Sequence, residues 1–318
     1  DEVATPTLTF AASCNPLLYE KARPVFIDSE RETWNLDPNL IEDYLKDRAR
    51  LNRLPKAVTV VHLFGQSARL QEVLDVCQRY EIPVLEDAAE SLGARYHGKH
   101  PGTLGEVGAF SFNGNKIITG TSGGMLVAAH EDWIQKVRHW STQARDPDPL
   151  GVNNYCHSEC GYNYRMSNVI AGIVRGQLHV LDERVRQRRA VFDHYQGELE
   201  KVPGITPQPE SQARLDSPSA ETSRHTRWLS CFLVDEKEFG MTASDLIRFL
   251  DAANIEARPV WKPMHTQTLY QRLGSEVWGG AVAQDLHTRG ICLPSSSSLS
   301  RTDQDRVIAA IREASSLR

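Results

Sequence analysis

Ala57-Val58-Thr59-Val60-Val61-His62-Leu63, then Leu70, Val73, Leu74 and Cys77, then Ile82-Pro83-Val84-Leu85-Glu86-Asp87: the stretch from 57 to 87 sets the fold. The first run is short and β-branched, the second set recurs at helical spacing, and the third is again a short apolar run. Strand, helix and strand within so few residues make a βαβ unit, which requires parallel strands and a helix lying over them. Asp87 therefore falls at the carboxyl end of a parallel strand. Open α/β sheets bind ligands there, because the strand-to-helix loops gather at that end.

Outward from this unit, Val107-Gly108-Ala109-Phe110-Ser111-Phe112 and Met125-Leu126-Val127-Ala128-Ala129 read as two more strands. The polar, glycine-rich stretch 113–124 between them contains Lys116. From Ser167, an N-cap, apolar residues recur at Ile170, Val174, Leu178, Leu181, Val185, Phe192, Tyr195 and Leu199, predicting one long helix or two abutting ones. The stretch 203–227, rich in Pro, Ser, Gln and Glu, reads as an exposed connection, and Trp228 to Val234 as a strand. Thr242 has capping-box spacing to Asp245, and Thr302 opens a terminal helix through Val307, Ile308 and Ile311. The expected organisation is a larger α/β domain over residues 1–180, with a mainly parallel sheet. A long helix and a smaller α+β C-terminal domain then occupy residues 181–318.

Bulk composition is permissive. A chain of 318 residues with 40% hydrophobic and 24% charged residues can bury a sizeable core. A net charge of -5 leaves no basic footprint for nucleic acid, and the run Arg184 to Arg189 has Asp182 and Glu183 beside it on a helix face. The six cysteines, Cys14, Cys77, Cys156, Cys160, Cys231 and Cys292, have no framework spacing, which fits a reducing cytoplasm. Cys156-His157-Ser158-Glu159-Cys160 lacks a second ligand pair at zinc-site spacing, so no metal is expected. No apolar stretch reaches membrane-spanning length, and Asp1 to Pro6 has no signal-peptide pattern.

Asp87 and Lys116 together suggest chemistry that neither suggests alone. A lysine that attacks an aldehyde must do so as the neutral amine. A carboxylate that holds a pyridine nitrogen protonated makes the ring an electron sink. A pyridoxal-phosphate enzyme needs both.

Three motifs carry a family resemblance: Glu86-Asp87-Ala88-Ala89-Glu90-Ser91-Leu92-Gly93-Ala94, Gly108 through Thr119, and Gly123-Gly124-Met125. With Val61 to Gln66 upstream and Gly161-Tyr162-Asn163-Tyr164-Arg165-Met166 downstream, the chain resembles the DegT/DnrJ/EryC1/StrS sugar aminotransferases over nearly its whole length. The resemblance implies the fold type I of pyridoxal-phosphate transferases, similar to aspartate aminotransferase. It implies that Asp87 pairs with the pyridine nitrogen, that Lys116 carries pyridoxal 5'-phosphate and moves the proton, and that Ser111 binds the phosphate. Glu90, where many relatives have Gln, would lie beside the ring, with Ser91 and His62 lining the same region. Asn163 matches a position that reaches across a homodimer interface toward the neighbouring cofactor.

Within the family, 113–116, 161–166 and Arg258-Pro259-Val260-Trp261-Lys262-Pro263-Met264-His265 are similar to enzymes that aminate C4 of UDP-4-keto-6-deoxy-N-acetylhexosamines, with glutamate as donor. Arg258, Lys262 and His265 would then grip diphosphate or carboxylate, since fixed cationic donors suit oxyanions. GDP-perosamine or dTDP-amino-sugar chemistry is the alternative, and a non-catalytic module on the same fold is another. Relatives also carry, upstream of the segment matching Asp1, a stretch with a phosphate-binding Gly-Thr/Ser turn and a ring-stacking aromatic; the sequence is expected to lack it. A Ser111–Lys116 hydrolase and a dinucleotide oxidoreductase are disfavoured. There is no Gly-x-Ser-x-Gly elbow, and Gly102, Gly105 and Gly108 have the wrong spacing for a Gly-x-Gly-x-x-Gly turn.

Overall fold

The computed structural model describes residues 1–152, 154–211 and 223–317. Its centre is a seven-stranded sheet. Strands β1 (Glu2–Pro6), β2 (Arg23–Ile27), β3 (Ala57–Val61), β4 (Val84–Asp87) and β5 (Val107–Ser111) are parallel, and β6 (Gly124–Ala128) runs antiparallel to β5. A two-stranded ribbon, β7 (Arg145–Asp146) with β8 (Cys156–His157), stands apart from it. A second, four-stranded sheet is built from β9 (Ile205–Pro207), β10 (Ser230–Val234), β11 (Arg258–Pro259) and β13 (Gly290–Leu293). The remaining strand, β12 (Val277–Trp278), pairs with β2 and completes the large sheet in the order β12-β2-β1-β3-β4-β5-β6. A boundary at 180/181 therefore does not separate the two sheets cleanly.

The βαβ unit read from 57 to 87 is present, with the helix Leu70–Arg79 between β3 and β4. That helix turns Leu70, Val73, Val76 and Cys77 inward, and Ile41, Tyr44 and Leu45 of the helix Pro38–Arg50 join them. They meet Ala4, Val25, Ile27, Val58, Val60 and Val84 of the sheet. Each such buried side chain contributes roughly 1.5–3 kcal/mol relative to exposure. Because side chains alternate along a strand, the other face carries Thr59, Val61, Leu85, Asp87, Val107, Ala109 and Ser111. The register aligns Val61 with Asp87 and Asp87 with Ala109, so Ser111 lies one pleat beyond Asp87 on the same face.

The helical run after Ser167 is two helices, Asn168–Leu178 and Leu181–Leu199, with Ser167 Oγ accepting the Ile170 N–H. Thr242 caps the helix Ala243–Ala252 as expected. The terminal helix is Arg301–Ser316 and its cap is Ser300, not Thr302, because the Ser300 hydroxyl reaches the Asp303 N–H. The 203–227 connection is not simply exposed. It contains β9, and Gln208, His225, Thr226 and Arg227 are buried; residues 212–222 lie outside the described residues.

One residue before Asp87, alternation sends Glu86 to structural work. Its carboxylate accepts the backbone N–H groups of Gly102 (2.6 Å), Leu104 (2.6 Å) and Gly105 (2.5 Å). His62 Nε2 lies 2.8 Å away, while Nδ1 accepts the Ala68 N–H. Burial raises the Glu86 pKa, but His62 and the N–H groups outweigh it and hold the carboxyl below its usual range. The group thus stabilises the fold above the unfolded-state pKa, and that contribution is lost as pH falls through the lower folded-state value. Glu86→Gln is expected to cost about 2–3 kcal/mol at pH 7. Urea midpoints measured from pH 7 down to pH 3 should show the gap between variant and parent closing in acid; a gap of constant size would refute the assignment.

Candidate active site

The carboxyl ends of β1, β4 and β5 open onto one cavity of about 510 Å³, within the ordinary range for a small-molecule site. Asp87, Ser111, Lys116 and Glu90 all line it, together with Phe10, Ser13, Asn113, Trp228 and Trp261. Asp87 is fixed at both oxygens: Oδ1 accepts the Ala89 N–H at 3.0 Å and Oδ2 accepts the Ser13 hydroxyl at 2.6 Å. Ser13 Oγ is in turn 2.7 Å from Thr9 Oγ1, so the loop after β1 holds the carboxylate that β4 presents.

Lys116 follows β5 in a turn closed by its own N–H to the Asn113 carbonyl. The indole N–H of Trp228 donates to the Asn115 carbonyl at 2.9 Å and clamps that turn. The same ring lies under the amine, with Nζ 4.3 Å from its centroid, a cation–π arrangement. Nζ is also 3.9 Å from Glu90 Oε1, and the two side chains are only 13% and 5% exposed. Glu90 Oε2 accepts the Phe64 N–H at 2.7 Å, and Trp261 Nε1 points at Oε1 from 3.4 Å. Burial raises the Glu90 pKa to about 7 against the opposing pull of Lys116. Ser111 Oγ accepts the Asn113 N–H at 3.3 Å. Close backbone packing fixes this end of the sheet, since a Cβ on Gly108 would stand 1.8 Å from the Gly102 carbonyl.

Other expectations need correction. His62 does not face the cavity: it is fully buried and committed to Glu86 and Ala68. Ser91 is also buried and is not among the lining residues. Arg258 is exposed and spent on an ion pair with Glu256. His265 uses both ring nitrogens, Nδ1 at 2.6 Å from Thr7 Oγ1 and Nε2 at 2.8 Å from Gln284, and burial lowers its pKa. Lys262 is exposed beside Trp261 and does not line the cavity. Asn163 is exposed and bridged to Thr142, away from the cavity of its own chain. Ser13, Trp228 and Trp261 were missed as site residues. The hydroxyl and aromatic cluster 9–13 directly after a buried strand was the available signal for the first, whereas Trp228 reads only as a strand residue.

This donor set suits a flat aromatic aldehyde with a basic ring nitrogen. It places a carboxylate, an amine and a hydroxyl with backbone N–H groups around one cavity of adequate size. The family model of the DegT/DnrJ/EryC1/StrS aminotransferases matches residues 1–312. The chain belongs to that family.

Among the relatives of this aminotransferase is EpsN of Bacillus subtilis (strain 168), which carries a provisional designation as a pyridoxal phosphate-dependent aminotransferase. It is 47% identical, over 98% of this chain and 76% of its own length. The GDP-perosamine synthase of Caulobacter vibrioides is 36% identical over 98% of this chain and 78% of its own. A crystal structure of a DegT DnrJ EryC1 StrS aminotransferase from Brucella abortus superposes with a TM-score of 0.82 at 26% identity, covering 98% of this chain and 79% of that one. The protein is thus a pyridoxal-phosphate-dependent sugar aminotransferase with the fold type I architecture. When bound, pyridoxal phosphate supplies the electron sink of transamination. Asp87, oriented by Ser13 and Ala89, would hold a proton on the ring nitrogen. Lys116 would supply the amine for attachment and for moving a proton, and Ser111 would supply a hydroxyl to the phosphate. Trp228 packs its ring against the amine, and Trp261 reaches Glu90 beside it.

Proposed function

We propose that the protein transfers the amino group of L-glutamate to C4 of a UDP-linked 4-keto-6-deoxy-N-acetylhexosamine, supplying an amino sugar for surface polysaccharide. The observation that carries the aminotransferase chemistry is the convergence of Asp87 and Lys116 on one cavity. The choice of sugar rests on the likeness of 113–116, 161–166 and 258–265 to C4-aminotransferases of that class. Names among the relatives favour a nucleotide-linked acceptor in general, and the perosamine synthase supplies a specific rival, a GDP-linked keto sugar.

The cofactor contacts are read as Asp87, Lys116, Ser111 and Glu90 from one chain, with Asn163 of a second copy in a homodimer whose sites are shared. The exposure of Asn163 supports that reading, because an asparagine lying outside its own cavity is free to serve a neighbour's. Free cysteines at all six positions suit a cytoplasmic enzyme, and among the described residues no helix is long and apolar enough to cross a membrane.

Competition between UDP-, GDP- and dTDP-linked 4-keto sugars, with glutamate as donor and 2-oxoglutarate as the measured product, tests the acceptor. The UDP sugar is expected to show the highest kcat/KM by at least about tenfold, which corresponds to the net worth of about one hydrogen bond. Preference for the GDP sugar would transfer the assignment to perosamine-type chemistry.

A further inference from the structure

We propose that Glu90 is the proton partner of Lys116: carboxylate oxygen Oε1 takes the proton that the ε-ammonium must lose before its nitrogen can attack a carbonyl. The inference rests on the aminotransferase reading and assigns Glu90 a task beyond contact with the ring.

The geometry divides the carboxyl into two differently employed oxygens. Oε2 is held by the Phe64 N–H at 2.7 Å. Phe64 sits in the left-handed region with a φ of 55°, a conformation unfavourable for a bulky residue, and its N–H meets a carboxylate oxygen. Oε1 has only the long contact from Trp261 at 3.4 Å and faces Nζ of Lys116 at 3.9 Å. The four-carbon stem of lysine lets the nitrogen swing between the Trp228 ring and this oxygen without backbone movement.

The transfer is balanced within the pair. One N–H bond of the ammonium breaks, one O–H bond forms on Oε1, and an ammonium–carboxylate pair becomes an amine and a carboxylic acid with no change in net charge. Burial of the two side chains favours the neutral pair, because it removes two buried charges at once. Besides Lys116, the titratable groups acting on this carboxyl are Asp87 on β4 and Cys231 on β10. Asp87 disfavours a second negative charge, and burial dominates, bringing Glu90 to about 7. The carboxyl is therefore poised to accept a proton near neutrality, where an exposed glutamate would not.

The test is a ¹³C carboxyl titration of the full chain prepared without cofactor, labelled at glutamate and compared with Glu90→Gln to assign the signal. A carboxyl titrating near pH 7, and moving higher in Lys116→Met, is the expected result. A Glu90 signal that titrates with the exposed glutamates, or that Lys116→Met leaves in place, would overturn the proposal. A second readout is the rate at which added pyridoxal phosphate becomes covalently attached, followed by its visible absorption across pH. Glu90→Gln preserves shape and the acceptor for Phe64, so it is expected to slow attachment at pH 7 about tenfold, within the range for one proton-transfer group. It should also move the half-maximal rate to higher pH, and an unchanged profile counts against the proposal. Protein that takes up no cofactor at any pH would instead defeat the aminotransferase reading, which the carboxyl titration alone cannot do.

Discussion

Lys116→Ala will be colourless and inactive. The purified parent enzyme is expected to hold pyridoxal phosphate covalently and to absorb in the visible, and among the described residues Lys116 is the lysine that lines the cavity. Removing its amine abolishes both the attachment and the group that moves the proton. The loss is expected to be roughly 10⁴-fold or more in kcat, the upper range for one acid–base residue. Circular dichroism should remain close to that of the parent, because the Lys116 side chain is held by a cation–π contact and one long ion pair rather than by core packing. A variant that keeps both its colour and its turnover would remove Lys116 from the mechanism.

Asp87→Ala is the second large effect. The carboxylate is held by the Ala89 N–H and the Ser13 hydroxyl, so it is pre-aimed before any ligand arrives. Deleting it removes the acid partner that would keep the ring nitrogen protonated, a loss of about 3–5 kcal/mol for one partner of a charge pair. That corresponds to roughly 10²- to 10⁴-fold in kcat/KM. Weaker cofactor retention should accompany it, measurable as the fraction of pyridoxal phosphate remaining after dialysis. Full activity in this variant would mean that the ring nitrogen needs no acid partner.

Much of this site is legible in the sequence, and its limits are physical. The strand β4 and the turn containing Lys116 are short-range features, so periodicity and glycine content locate them. Asp87 is visible because a parallel strand ends on it. Glu86 and His62 are less transparent: two adjacent acidic residues look alike in a string of letters, and only the pleat sends one to the cavity and the other to the 102–105 backbone. Arg258 and His265 carry the right charge in the right motif, yet Glu256, Thr7 and Gln284 occupy them. Glu256 stands only two residues from Arg258, but the bond from Thr7 to His265 and the roles of Ser13 and Trp228 join residues far apart in the chain, and spacing carries no information about them. The departure of Thr302 from its expected cap is a smaller case, where two hydroxyls stand close together and backbone geometry chooses Ser300.

The pairing of β12 with β2 has a consequence for biogenesis. Ile27 acquires its outer neighbour, Trp278, only about 250 residues later in the chain. At roughly 5–20 residues per second of translation, the nascent β2 would wait on the order of 10–50 s with one side unpaired. During that interval it presents an open template to other newly made chains, so yield in cells should depend on how well that edge is shielded before synthesis reaches the last strands.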